Sequence, residues 1–195
     1  MAIGFIGLGN LGTAITTRLS QLGETLVVYN RNIEKIKDLG YEIVSSPKEI
    51  LQKCDVIFLC LFDSEAVKQI LTGDNGLLCE ELKGKTIIDL TTNHYEEVLE
   101  FHKLVNDFGA NYLENPVFGS VAPALKGELT VVSSGKIEVL EAMKPILEKI
   151  AKEIGIAANR SGQWRYRMGD YRVTCEIIDE EVVVLALTLG RRKDI

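Results

Sequence analysis

Residues 3–12 read Ile3-Gly4-Phe5-Ile6-Gly7-Leu8-Gly9-Asn10-Leu11-Gly12, a short apolar run that passes directly into G-x-G-x-x-G. A bare glycine triplet says little, but here it follows a predicted strand, opens a helical stretch ending near Leu22-Gly23, and precedes a second apolar run, Thr25–Tyr29. In that setting the spacing predicts a strand–turn–helix unit that holds a dinucleotide. Gly7 allows the tight turn, Gly9 lets a pyrophosphate approach the backbone, and Gly12 lets the helix pack on its strand. Asn10 and Leu11 lie in the first turn of that helix, whose unpaired N–H groups and positive dipole end face the phosphates.

Working outward, the same rhythm repeats. Ile33–Leu39 reads as a short helix and Tyr41–Val44 as a third strand. Ser46 is an N-cap with Pro47 at the first helical position. Val56–Leu61 and Thr86–Leu90 read as the fourth and fifth strands, with a helix over Ser64–Leu71 between them. Asn93 caps a helix running to about Phe108, Ala110–Glu114 and Thr130–Ser133 are short strands, and Ile137–Ile154 reads as one long helix. Strands alternating with helices predict an α/β fold of the doubly wound, Rossmann-like kind, its sheet mainly parallel.

After Gly155 the pattern changes. Gln163–Met168, Tyr171–Ile177 and Val182–Leu189 follow one another with only turn residues between them. They predict a three-stranded antiparallel meander. The basic residues change too: residues 1–155 carry 13 Lys and two Arg, whereas the last 40 carry one Lys and six Arg. We expect a dinucleotide-binding domain over residues 1–154 and a β-meander over 155–195, with the junction between Ile150 and Asn159.

Composition excludes several classes. Of 195 residues, 46% are apolar and 26% charged, the balance of a globular chain rather than a disordered or coiled-coil one. A net charge of −6 argues against a nucleic-acid binder. The longest apolar run, around Val56–Phe62, is too short to span a bilayer, so no membrane partner is expected. No secretory pattern precedes the first strand, and a cytoplasmic location is expected. Cys54, Cys60, Cys79 and Cys175 show no metal-binding spacing, and His94 and His102 stand apart, so no metal site is expected.

The end of the second strand bears on which dinucleotide fits. An acidic residue there would bind the ribose 2′-hydroxyl and repel a 2′-phosphate. Asn30-Arg31 stands there instead. Arg31 can make charge-assisted bonds to a phosphate, so NADP is the expected cofactor and NAD the weaker fit. Arg31 as a merely solvated cation is the alternative.

GFIGLGNLG, VVYNRN, Asp89-Leu90-Thr91-Thr92, and Asn115–Ser120 followed by GELTVVSSG together resemble the cofactor domain of the β-hydroxyacid dehydrogenases. This is the group of 3-hydroxyisobutyrate dehydrogenase and glyoxylate/succinic-semialdehyde reductase. The resemblance implies that Leu61, Phe62 and Thr92 lie along the cofactor, and that the Pro116–Ser120 loop, with Gly119 and Ser120, contributes to a substrate pocket. Phe118 stands where that family usually carries Ser. The family's catalytic lysine belongs to a helix that this sequence does not match, so cofactor binding without efficient turnover is expected. The C-terminal run W-R-Y-R-x-G-D-Y-R resembles the later part of RelE/ParE-type toxins. Taken together, the two likenesses imply a fusion of a dehydrogenase-like cofactor domain with a RelE-like toxin fragment over residues 155–195, with Arg165, Arg167, Arg172 and Arg192 as candidate catalytic residues and RNA or an antitoxin as an alternative partner. A homodimer is a further way to cover apolar surface left without a helical domain.

Overall fold

In a computed structural model of the chain, residues 2–156, 163–168, 171–176 and 185–191 are described. Six strands form one parallel sheet: β1 (Ala2–Ile6), β2 (Leu26–Tyr29), β3 (Glu42–Ile43), β4 (Cys54–Leu59), β5 (Thr86–Asp89) and β6 (Asn111–Glu114). Their order is β3-β2-β1-β4-β5-β6, so the chain reverses its direction of travel across the sheet between β1 and β4. This is the doubly wound arrangement expected from the sequence, and its ligand crevice opens at the C-terminal ends of the strands flanking that reversal.

The strands are apolar almost throughout because both sheet faces are covered. Phe5, Val28, Phe58, Ile88 and Leu113 share one core with α1 (Asn10–Gln21) and α6 (Ile137–Leu147). The alternate residues Ile6, Val27, Ile57, Leu59, Ile87 and Tyr112 share the other, with α2 (Pro47–Leu51), α3 (Ser64–Thr72) and α4 (Tyr95–Asp107). The Phe5 and Phe58 rings stack across β1 and β4 with centroids 5.9 Å apart.

A second sheet has the order β7-β8-β9, from β7 (Val117–Phe118), β8 (Leu129–Ser133) and β9 (Ala151–Ile156). A short helix, α5 (Val121–Lys126), links β7 to β8 and packs on α1. Ile137–Ile154, expected as one long helix, is not one. α6 stops at Leu147, and the chain re-enters as β9, parallel to β8. Arg18 Nε donates to the Lys149 carbonyl (3.2 Å), and Lys149 Nζ pairs with Glu24, so the connecting turn is tied to α1. The unpaired edge of β8 takes up the backbone groups of Ala151–Ile156, outweighing their helical spacing.

Smaller corrections have local causes. Ile33–Leu39 forms only a 3₁₀ turn at Ile33–Lys35, since so short a segment with Ile36 as its one fully buried side chain cannot carry the cost of a helical nucleus. Ser46 occupies the N-cap of α2 without a capping bond from its side chain. Instead the Glu49 carboxylate accepts from the Ser45 N–H (3.3 Å) and from both serine hydroxyls. Asn93 does not cap α4; His94 takes that position, and Asn93 is drawn inward to Asp89.

The C-terminal meander forms with the order β10-β11-β12, from β10 (Gln163–Met168), β11 (Tyr171–Glu176) and β12 (Leu185–Arg191), all antiparallel. The third strand was expected over Val182–Leu189; its residues 182–184 lie outside the described residues. Among the described residues no helix is long and apolar enough to cross a membrane.

Candidate nucleotide-binding cleft

The cleft is built on the first turn of the main sheet. Gly7 has φ +98°, a left-handed conformation, and a Cβ there would sit 2.3 Å from the Cys60 carbonyl oxygen. Gly12 is required for a different reason: its Cβ would lie 2.0 Å from the Gly7 carbonyl oxygen, so α1 could not approach the turn. Gly9 is unlike both. Its backbone is ordinary (φ −73°) and an added Cβ would meet no atom of the described residues within 4 Å. The protein's own packing therefore does not call for glycine at position 9, and the space beside it is left open.

The start of α1 is also open. Its N-cap, Gly9, provides no side-chain acceptor, and no acidic residue occupies the first turn. The N–H groups and the positive end of the helix dipole thus remain available to an anion. Asn30 supports the turn from β2: its Oδ1 accepts the Leu8 N–H (3.0 Å) and its Nδ2 donates to the Asn32 carbonyl (2.9 Å).

Around this turn lies a cleft of about 620 Å³. It brings together Gly7, Gly9, Asn10, Leu11, Gly12, Asn30, Arg31, Leu61 and Phe62, all named from the sequence. Phe62 is 94% exposed at the rim. Two features were missed. Lys35 joins Arg31 at the β2 end, because the 3₁₀ turn carries it back to the cleft, and its spacing from Arg31 was the signal. Ala66, Gln69 and Ile70 of α3 form part of the opposite wall. Thr92 is exposed and does not line the cleft; its neighbour Thr91 is buried, and the Thr91 Oγ1 accepts the Leu61 N–H at 3.0 Å.

Gly119 and Ser120 sit on the exposed loop between β7 and α5, outside the residues that line the cleft. Arg165 and Arg167 fall on β10, in register with Thr174 and Arg172 of β11. Arg192 lies outside the described residues.

Beyond the cleft, the ends of β5 and β6 hold buried ionisable groups. Asp89 and Glu114 are register partners on adjacent strands. The Asp89 carboxylate accepts from the Thr91 N–H (2.9 Å), Asn93 Nδ2 (2.8 Å) and the Tyr112 hydroxyl (2.5 Å). Burial raises its pKa against these three donors. Burial likewise pushes Glu114 up to about 7, opposed by the Ser134 hydroxyl (3.0 Å) and assisted by the charge of Asp89. His102, packed edge-on against the Tyr112 ring with centroids 4.8 Å apart, is lowered by burial to about 4 and stays neutral.

Comparison with known proteins agrees with this geometry. Residues 2–159 match the family described as the NAD binding domain of 6-phosphogluconate dehydrogenase. The chain is 32% identical over 188 residues to 2-hydroxy-3-oxopropionate reductase of Escherichia coli (strain K12). That match covers 95% of this chain, reaching beyond residues 1–154, and 61% of the relative. Among solved structures, Psf3 in complex with NADP+ and 2-OPP superposes with a TM-score of 0.75 at 34% identity, covering 80% of this chain and 56% of that one. Mycobacterium tuberculosis 3-hydroxyisobutyrate dehydrogenase with L-serine gives 0.75 at 25%, covering 80% and 54%. The chain thus spans between half and two-thirds of the length of these relatives. With the strand order, the glycine turn and the match over residues 2–159 in agreement, the chain belongs to the family of NAD-binding domains typified by 6-phosphogluconate dehydrogenase.

Proposed function

We propose that this chain binds NADP(H) in the cleft above β1, with the pyrophosphate on the Gly7–Gly12 turn and the 2′-phosphate between Arg31 and Lys35. The observation that carries the reading is the convergence of an open helix N-terminus, the side-chain-free space at Gly9, and two cations at the end of β2 on one cavity. Backbone N–H groups and the helix dipole suit a pyrophosphate. Arg31 and Lys35 suit a further phosphate, and among the described residues no carboxylate lines the cleft to repel it. The NADP+ bound by the structural relative Psf3 supports the same choice.

The names of the relatives support a reaction class, reduction of a carbonyl in a small hydroxy acid or its aldehyde. In that class the nicotinamide supplies or takes the hydride. This chain's residues bind and orient the dinucleotide: Asn30 fixes the turn, and Leu61 and Phe62 bound the cleft opposite it. A reduction also needs a donor to protonate the developing alkoxide. The family resemblance gives that role to a lysine on a helix beyond β9.

The test is calorimetric titration with NADPH and with NADH. NADPH is expected to bind at least tenfold more tightly, and Arg31→Ala to remove most of that preference while leaving NADH affinity within about twofold. An unchanged preference in Arg31→Ala would remove the assignment of the 2′-phosphate.

A further inference from the structure

We infer that Thr91, held by the buried carboxylate of Asp89, is a positioning residue for the dinucleotide cleft: it fixes the Leu61–Phe62 wall without touching the cleft itself. The inference rests on the cleft being the dinucleotide site.

The wall needs outside support. β4 leaves the sheet at Leu59, whose carbonyl accepts the Leu90 N–H (2.8 Å), and Cys60 N–H makes the last bond to β1, at Ile6 O (2.9 Å). The next residue, Leu61, lies on the cleft, and its N–H goes to a side chain, the Thr91 Oγ1 at 3.0 Å. Thr91 is 2% exposed, and its own N–H is held by Asp89 Oδ1 (2.9 Å). Asp89 is fully buried, and its other oxygen is occupied by Asn93 and Tyr112. Neither Asp89 nor Thr91 lines the cleft.

The support is reciprocal. Ser64, at the start of α3, accepts the His94 N–H with its hydroxyl at 2.9 Å, so each loop lends the other one oxygen. The consequence for the ligand follows from Gly7. Its α-carbon is so close to the Cys60 carbonyl that a Cβ would stand 2.3 Å away. A shift at Cys60-Leu61 therefore reaches the glycine turn directly, and an over-determined contact of this kind transmits displacement rather than absorbing it. Asp89 and Thr91 thus set the width between the phosphate turn and the opposite wall, and affinity for an extended ligand depends on that width being held before it arrives.

The experiment compares the parent chain with Thr91→Val, which keeps the branched shape and removes the acceptor, and Thr91→Ser, which keeps the acceptor. NADPH titration, thermal melting and hydrogen exchange at the Leu61 amide are measured on each. Thr91→Val should bind NADPH about fivefold more weakly and exchange the Leu61 amide faster, the loss of one hydrogen bond to a fixed loop. Thr91→Ser should bind within about twofold of the parent, a rescue that lost packing would not produce. If Thr91→Val does not fold, Thr91→Ala removes the same acceptor and is read the same way. Equal affinity of the parent and Thr91→Val, or a Thr91→Ser as weak as Thr91→Val, would overturn the inference while leaving the dinucleotide site in place. A parent chain that binds no dinucleotide would remove both.

Discussion

Two ends of the same sheet edge, a few strands apart, use opposite chemistry. Beside β1 and β2 the glycine turn carries no side chain at Gly7, Gly9 and Gly12 and is left open, with free N–H groups and two cations around a cavity. At β5 and β6 they are filled with Asp89, Tyr112 and Glu114, all buried. The first region offers unmet hydrogen-bonding capacity to a ligand; the second uses most of its own internally. The difference teaches how the fold separates binding from support. Asn30 braces the backbone turn of the anion site from β2, and the neighbouring carboxylate cluster braces the opposite wall at Leu61 through Thr91.

The sharpest way to break the comparison is Gly12→Ala. A Cβ 2.0 Å from a backbone carbonyl has nowhere to go. The substitution should cost about 3 kcal/mol of folding stability, read by urea denaturation, and NADPH binding should fall below detection. A fully stable Gly12→Ala would show that α1 does not pack on the turn as described.

The closed end is probed by pH. The Glu114 pKa rises on folding from its usual 4.5 to about 7, so the native state holds a proton that the unfolded chain gives up. That stabilisation is complete below pH 4.5 and is lost as the pH rises through 7, on the order of 3 kcal/mol in all. Asp89 acts in the same direction. His102 runs the other way: its pKa is lowered from 6.5 to about 4, so its contribution is present above pH 6.5 and lost as the pH falls through 4. Relative to the parent, denaturant titrations between pH 4.5 and 8 should show the profile of Glu114→Gln tilted toward greater stability at higher pH, and that of His102→Phe tilted toward lower stability at higher pH. The reverse pattern would mean that the two groups are not buried as described.

A smaller effect sharpens the boundary between the regions. Tyr112→Phe removes one of three donors to a buried carboxylate and should cost about 1.5 kcal/mol. Because Thr91 N–H remains on Asp89, NADPH affinity should change less than twofold. A large loss of affinity would show that the network reaches the cleft through Tyr112 as well.

The open end was legible in the sequence almost entirely. Glycines required by a positive φ or a close approach leave a fixed spacing, and uninterrupted apolar strands mark a sheet covered on both faces. The closed end was not. Asn93 looks like a helix cap because Asn is a good one, but a buried carboxylate competes more strongly for its amide. Thr91 and Thr92 are indistinguishable by residue type, and only the inward turn at Asp89 decides which one is buried. β9 was hidden in helical spacing because its partner, β8, lies some twenty residues earlier, and such a ladder leaves no local trace. Lys35 was missed because residue type does not separate it from Lys37, and the turn at Ile33–Lys35 is what brings it to the cleft.

The most direct test of the central claim is NADPH titration of the parent chain beside Gly9→Ala, with melting temperatures for both. Position 9 has ordinary backbone angles and open space around it, so an added methyl should leave the melting temperature within a few degrees. The account predicts saturable, one-site binding to the parent and at least tenfold weaker binding to an equally stable Gly9→Ala. A parent that does not bind, or a Gly9→Ala that binds as tightly, would contradict it.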